Sequence, residues 1–199
     1  MEEFEEDATA SGERRSRNQK KEDRRREINR EIRSWMLSLF AAVAIALCIR
    51  FFVFEFIRVD GPSMEPTLYT DEYVFMEKVT YWFRKPQRGD IVICSFPNSS
   101  ESYVKRVIGI PGDVIEVKHG VLYINGTANY DYDFWNKTPI ERPPVPNPIT
   151  VPENCVFVMG DHRNQSNDSR YPEIGPIPYD KILGKAEFVI WPLDKIHGL

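Results

Sequence analysis

The sequence predicts an all-β domain that follows one long apolar helix. Fifteen prolines in 199 residues favour strands and turns over helices. After residue 57, short runs of β-branched and aromatic residues alternate with Gly, Pro, Asn and Asp, a pattern typical of strands joined by turns. With 42% hydrophobic residues, the chain is long and apolar enough for one main domain with its own core.

The chain begins with a charged segment, residues 1–34, that has no apolar periodicity. It contains ten basic and ten acidic residues, and the acids are crowded at Glu2–Asp7. This composition is typical of a solvated tail.

The apolar stretch over residues 35–57 predicts a membrane anchor. No charged residue occurs in Trp35–Ile49, and if Arg50 extends its charge to the interface the stretch approaches the roughly 20 residues that a spanning helix needs. A cleavable signal peptide fits less well, because the charged leader is long and no small-residue cleavage site follows. A buried helix of a soluble protein is the other alternative.

Positive charges predict the orientation of this anchor. Residues 15–34 contain nine Lys and Arg, whereas residues 58–77 contain only Arg58. Since the more positive flank stays in the cytoplasm, we expect a single-pass protein of the plasma membrane with residues 58–199 outside. The sixteen basic and twenty acidic residues after residue 34 give no support for nucleic-acid binding.

Six runs predict the strands, and they cover residues 72–82, 90–96, 102–110, 113–126, 154–161 and 184–192. The sequence KHG at residues 118–120 predicts a hairpin inside the fourth run. Residues 138–154 contain six prolines and predict an extended surface loop. Cys94 and Cys155 lie in strand-like runs, where both packing thiols and a disulfide remain open.

Two polar clusters interrupt the β pattern. In GPSMEPTL, Pro62 and Pro66 restrict the backbone around Ser63, which suits either an ordinary turn or a held nucleophile. In YVKRVIGI, strand alternation places Lys105 and Arg106 on opposite faces. Both cations could lie at a sheet edge. Alternatively, Lys105, whose ordinary pKa is about 10.4, could be buried enough to be neutral and to accept a proton from a serine.

A third polar cluster, GDHRNQSNDSR at residues 160–170, follows an apolar strand, a position from which a loop can project into a site. Its charged side chains can pair and fix the loop, and its serines supply hydroxyls. Solvated charge is the alternative. The three histidines of the chain have no spacing typical of a metal site, so we expect neither a metal nor a cofactor.

The three clusters, together with RGDIV and IPGD, resemble the successive motifs of bacterial type I signal peptidases. These are membrane-anchored Ser-Lys endopeptidases that remove signal peptides from exported preproteins. The resemblance extends from the anchor almost to the C-terminus. It implies an all-β catalytic domain of coiled antiparallel sheets that rests partly on membrane lipid. The alternation of Phe52, Phe54 and Phe56 fits a first strand that leaves the anchor near residue 51.

The resemblance also implies roles for individual residues. Ser63 would be the nucleophile and Lys105 the general base, with Arg106 as a structural neighbour. Ser166 would help to orient the lysine. The remaining implied residues are a supporting loop of Asp161, Arg163, Asp168 and Arg170, and the borders of the substrate pockets, Met64 and Tyr103.

Two positions depart from the common family pattern. Gly61 stands where some members carry a serine of the oxyanion hole, and His162 stands where asparagine is usual. His162 beside Asp161 leaves a Ser-His-Asp arrangement open. Two other functions also remain open: a non-catalytic anchored domain that binds exported proteins, and a regulator that cleaves itself with the same Ser-Lys pair.

Overall fold

The computed structural model describes residues 29–97, 99–131 and 139–199, so most of the predicted charged tail lies outside the described residues. The chain divides into two compact units, Met1–Ile49 and Arg50–Leu199. Helix α1 spans Asn29–Phe52 and is long and apolar enough to cross a bilayer. Because the first strand begins at Phe54, the last residues of the predicted 35–57 anchor are extended and not helical.

The Arg50–Leu199 unit is built from antiparallel strands, as predicted. Twelve strands occur in the described residues: β1 Phe54–Arg58, β2 Tyr73–Glu77, β3 Ile91–Ser95, β4 Ser102–Gly109, β5 Val114–Lys118, β6 Val121–Ile124, β7 Thr127–Ala128, β8 Ile149–Thr150, β9 Cys155–Met159, β10 Ile177–Pro178, β11 Ile182–Trp191 and β12 His197–Gly198. One sheet has the order β1-β2-β11-β3-β4-β9-β10, with β12 also paired to β11. The other has the order β7-β6-β5-β8.

The six predicted runs coincide with β2, β3, β4, the β5–β6 pair, β9 and β11. The hairpin at residues 118–120 is confirmed, since Lys118 pairs with Val121 and the intervening His119 and Gly120 both have positive φ. The first run ends differently from the prediction, because Thr80–Phe83 form a short helix, α2. The Glu77 carboxylate accepts hydrogen bonds from the Val79 and Thr80 N–H groups, both at 2.9 Å, which turns the chain out of the strand.

The proline-rich loop contributes more to the core than predicted. Ile140 and Val151 are buried in one of the three hydrophobic clusters, and β8 pairs with β5. The Asn147 side chain bonds both the N–H and the carbonyl of Val117, at 3.0 and 2.9 Å, and so acts as a strand partner. This segment therefore covers the cluster and is not only a surface loop, as was predicted.

The first sheet places β4 between β3 and β9, in the interior of the sheet. The alternative in which Lys105 and Arg106 lie at a sheet edge is therefore wrong, and both residues are buried.

Cys94 on β3 and Cys155 on β9 are free thiols in the structure.

Candidate active site

Ser63 lies in a tight turn that follows β1. The Thr67 and Leu68 N–H groups donate to the Met64 carbonyl, at 2.9 and 3.0 Å, and the Met64 and Leu68 side chains are buried in a core cluster. Gly61 has φ of +90°, a conformation that a serine would adopt only with strain. The buried Met64 and Leu68 side chains thus attach the turn to the core, and this fixes the position of Ser63.

Lys105 lies against the hydroxyl of this serine. Its Nζ is 2.7 Å from Ser63 Oγ and donates to the Val104 carbonyl at 2.9 Å. The side chain is 3% exposed, and burial in an apolar surrounding lowers the pKa of the amine, since desolvation disfavours the charged form. A neutral amine has two N–H groups and one lone pair. With one N–H on Val104, the lone pair is available to accept the serine proton.

Arg106, on the opposite face of β4, is tied to Asp161 by a bidentate pair. Both Nε and Nη2 of Arg106 lie 2.8 Å from a carboxylate oxygen of Asp161. Thr67 Oγ1 donates to the same carboxylate at 2.6 Å, and Arg106 Nη1 donates to the Gly89 carbonyl at 3.0 Å. This buried network joins the serine turn, β4 and the loop after β9.

The loop after β9 contacts Ser63 directly. The His162 N–H donates to the Ser63 carbonyl at 3.1 Å. A Cβ placed on Gly160 would lie 2.3 Å from Ser166 Oγ and 2.4 Å from the Ser63 carbonyl oxygen, so only glycine permits this approach. Ser166 is buried, and its Oγ has no hydrogen-bond partner within the part of the chain that the structure describes. Its predicted contact with Lys105 is therefore not made in this structure.

Asp168 and Arg170 hold the loop from inside. Arg170 Nε and Nη2 each lie 2.8 Å from the Asp168 carboxylate, and the Nη2 group also donates to the Arg163 carbonyl. Asp168 additionally accepts from the Gly160 N–H at 3.0 Å, and Arg163 is buried in the same loop. Asp168 and Arg170 are paired with each other and Arg163 is buried, so the interpretation of this cluster as solvated charge is wrong for these residues.

The two residues implied for the substrate pockets differ in exposure. Met64 is 1% exposed and packs in the core. Tyr103 is half-buried and stacks on Phe96, with ring centroids 4.1 Å apart. The Tyr103 hydroxyl lies 3.1 Å from Ser99 Oγ, and Lys105 Nζ lies 6.0 Å from the tyrosine ring. Of these two residues, only Tyr103 therefore has a partly exposed side chain near the candidate Ser63–Lys105 pair.

Two residues of the site were not singled out by sequence reasoning. Thr67 lies inside the quoted serine motif, but its partner Asp161 is 94 residues away and only the fold brings them together. Gly160 follows an apolar strand and precedes a charged loop, and this position was the available signal for a close approach of the backbone. Among the described residues, no group of three or more His, Cys, Asp or Glu side chains is placed to hold a metal ion.

Comparison with known proteins gives consistent matches over most of the chain. A family model described as "Signal peptidase, peptidase S26" matches residues 32–191. "Signal peptidase I" of Bacillus licheniformis is 39% identical over 169 residues, which cover 82% of this chain and 90% of that protein. "Signal peptidase I T" of Bacillus subtilis (strain 168) is 40% identical over 169 residues, covering 82% and 87%. A solved signal peptidase I from Enterococcus faecalis V583 is 32% identical, with a TM-score of 0.44, and covers 51% of this chain and 97% of that one.

Proposed function

The chain belongs to the signal peptidase family, peptidase S26, serine endopeptidases that remove signal peptides from preproteins, and we propose that it cleaves with Ser63 as nucleophile and Lys105 as general base. The observation that carries this assignment is the 2.7 Å contact between Lys105 Nζ and Ser63 Oγ. Burial lowers the pKa of Lys105 and so favours the neutral amine that such a base requires.

The reaction follows from this geometry. Neutral Lys105 takes the proton of Ser63 as Oγ attacks the scissile carbonyl, and the resulting ammonium gives that proton to the departing amine. The acyl-enzyme is then hydrolysed by water that the same lysine deprotonates. Throughout, the bond from Nζ to the Val104 carbonyl keeps the amine directed at Ser63.

The Asp161 geometry favours this dyad over a Ser-His-Asp arrangement. Both carboxylate oxygens of Asp161 already accept hydrogen bonds from Arg106, and one also accepts from Thr67. Asp161 therefore links the serine turn, β4 and the loop after β9, and its oxygens are already used in these contacts. Asp161, Arg163, Asp168 and Arg170 accordingly support the site, and the orientation of the lysine by Ser166 stays a prediction of the family resemblance.

The location proposed for the enzyme is the plasma membrane, with α1 as a single span, the N-terminus in the cytoplasm and residues 58–199 outside. The nine-to-one excess of Lys and Arg before the span supports this orientation. Membrane lipid is a proposed contact of the β-domain too. Phe56 and Phe188 are about half exposed and flank Phe75, with ring centroids 6.0 and 6.4 Å away, which forms an aromatic surface suited to lipid.

The experiment is incubation of the purified full chain in detergent with a signal-peptide-bearing precursor, followed by mass spectrometry of both proteins. We expect one cut in the precursor with the wild type, and none with Ser63→Ala or Lys105→Ala. A folded wild type that binds the precursor without cutting it would instead be a binding domain. An enzyme that shortens only itself would be a self-cleaving regulator.

A further inference from the structure

We propose that Arg142 binds a carboxylate side chain of the preprotein near the cut and thereby acts as a specificity-determining residue. The inference rests on the proposed function, because the lining of the cavity includes Ser166, which lies beside Gly160 next to the Ser63 carbonyl. It adds a charged subsite to an enzyme whose implied pockets, at Met64 and Tyr103, are otherwise apolar or aromatic.

The subsite is a polar cavity of about 260 Å³ between the segment at residues 141–142 and the loop after β9. Three arginines and one acidic residue line it: Arg142, Arg163, Arg170 and Glu141. Cavities lined by guanidinium groups suit carboxylates, because the planar fork of arginine can donate two parallel hydrogen bonds to them.

The walls of this cavity are held together by specific contacts. Asn164 accepts from the Glu141 N–H at 3.1 Å and donates to the Pro139 carbonyl at 3.0 Å. The Arg142 guanidinium lies over the Tyr171 ring, 4.4 Å from its centroid. The tyrosine thus orients the arginine before any ligand binds, which reduces the entropy lost on binding.

The charges of the cavity differ in whether they are already paired. Arg170 is neutralised by the buried Asp168 carboxylate. Arg142 is exposed, and among the described residues no carboxylate oxygen lies within salt-bridge distance of its guanidinium. Glu141 lines the same cavity and moderates the positive potential. Arg142 is therefore the cation able to take a new carboxylate partner.

The cavity is close enough to the proposed nucleophile to contact the same substrate chain. Ser166 forms part of its lining and faces the Ser63 carbonyl across Gly160. An extended peptide advances about 3.3 Å per residue, so a side chain within a few positions of the cut can reach the guanidinium.

The test is a set of precursors that carry Asp, Asn or Lys at each of the four positions after the cut and at the second and fourth before it. We expect the wild type to cleave the Asp form about fivefold faster in kcat/KM than the Asn form at one of these positions. This preference should fall as salt rises, because an exposed ion pair is screened. Arg142→Gln should abolish it, and Arg142→Glu should favour Lys at that same position.

Lys181→Glu is the matched control, since it makes the same change of charge at an exposed residue of the domain. It should leave the Asp preference intact. Equal cleavage of Asp and Asn forms at every position by an active wild type would overturn the subsite and leave the dyad standing. An effect of Arg142→Glu seen only on anionic vesicles, and equally for all precursors, would assign the arginine to lipid phosphate and overturn the proposal. Cleavage by Ser63→Ala would instead overturn the proposed function.

Discussion

Lys105 and Arg106 are neighbours in β4, yet they have opposite environments. The Lys105 amine, 2.7 Å from Ser63 Oγ, has no carboxylate within salt-bridge distance among the described residues, whereas Arg106 makes a bidentate pair with Asp161. Alternation along an interior strand produces this difference, because it directs one side chain to the Ser63 hydroxyl and the other to the Asp161 carboxylate. One face of β4 thus carries an amine whose pKa is lowered by burial, and the other carries a guanidinium that links the segments of the site.

The Asp161–Arg106 pair gives a prediction about stability. Asp161→Asn leaves the Arg106 charge buried without its partner, so we expect a loss of about 3–5 kcal/mol in the free energy of unfolding. Urea unfolding of the full chain in detergent, followed by circular dichroism, measures it. Asp71→Asn is the control, because the Arg58–Asp71 pair is exposed and screened by solvent, so its loss should cost far less than the loss of Asp161. Similar losses in the two variants would contradict the assigned role of Asp161.

Local patterns in the sequence were enough to predict the longer strands, whereas the roles of Ser63 and Lys105 were predicted from the family resemblance. The runs around Val92, Lys105 and Phe157 are apolar enough to predict strands, although the interior position of the Lys105 strand was not predicted, and the hairpin at His119 follows from turn chemistry. Contacts between distant segments could not be predicted in this way. The bond from Thr67 to Asp161 and the burial of Ile140 depend on how strands pair, and single-residue periodicity carries no information about that pairing.

The orientation of the anchor gives a second prediction. Protease added to intact spheroplasts should digest the part of the chain after residue 58 and spare a fragment that contains residues 1–34, because the positive flank stays inside. Antibodies against the two ends would identify the surviving fragment on a blot. Spheroplasts opened with detergent are the control and should lose both regions. Protection of the C-terminal domain in intact spheroplasts would reverse the proposed topology.

Substrate specificity gives a third prediction. A substrate strand beside the site directs alternate side chains to the same wall, so the first and third residues before the cut share a surface, and the family resemblance predicts small residues there. Precursors with Phe or Leu at the position before the cut should be cleaved at least tenfold more slowly than the Ala precursor. Placing Phe at the second position, whose side chain points away, is the control. Equal rates for Phe and Ala at the first position would refute the assignment of these pockets.

The choice of base gives a fourth prediction. His162→Asn should keep most of the precursor cleavage, because the contact of this residue with Ser63 is made by its backbone N–H and survives the substitution. Lys105→Arg should be inactive, since a guanidinium does not release its proton at accessible pH. Initial rates with one precursor at equal enzyme concentration measure both. Inactive but folded His162→Asn together with active Lys105→Ala would assign the base to the histidine.

The lowered pKa of Lys105 gives a fifth prediction, which links activity to stability. In the pH range between its lowered folded pKa and the ordinary lysine value, the unfolded chain carries a proton that the folded chain lacks, so this group makes stability rise with pH. Lys105→Met removes the amine with little change of shape. We expect the variant to be inactive and more stable than the wild type near neutral pH, with the difference shrinking as pH rises.

Thermal unfolding of both proteins across a pH series measures this difference in stability. The contributions of the other titrating groups cancel in the difference, because both proteins contain the same groups. Wild-type cleavage should rise as pH passes through the lowered folded pKa and then level off, because the amine of the folded enzyme becomes neutral there, and the stability difference should begin to shrink at that same pH. The two curves therefore report one ionisation by independent means. A Lys105→Met variant that is less stable than the wild type by the same amount at every pH would show that the buried amine is not deprotonated on folding, and Lys105 could not then serve as the resting base.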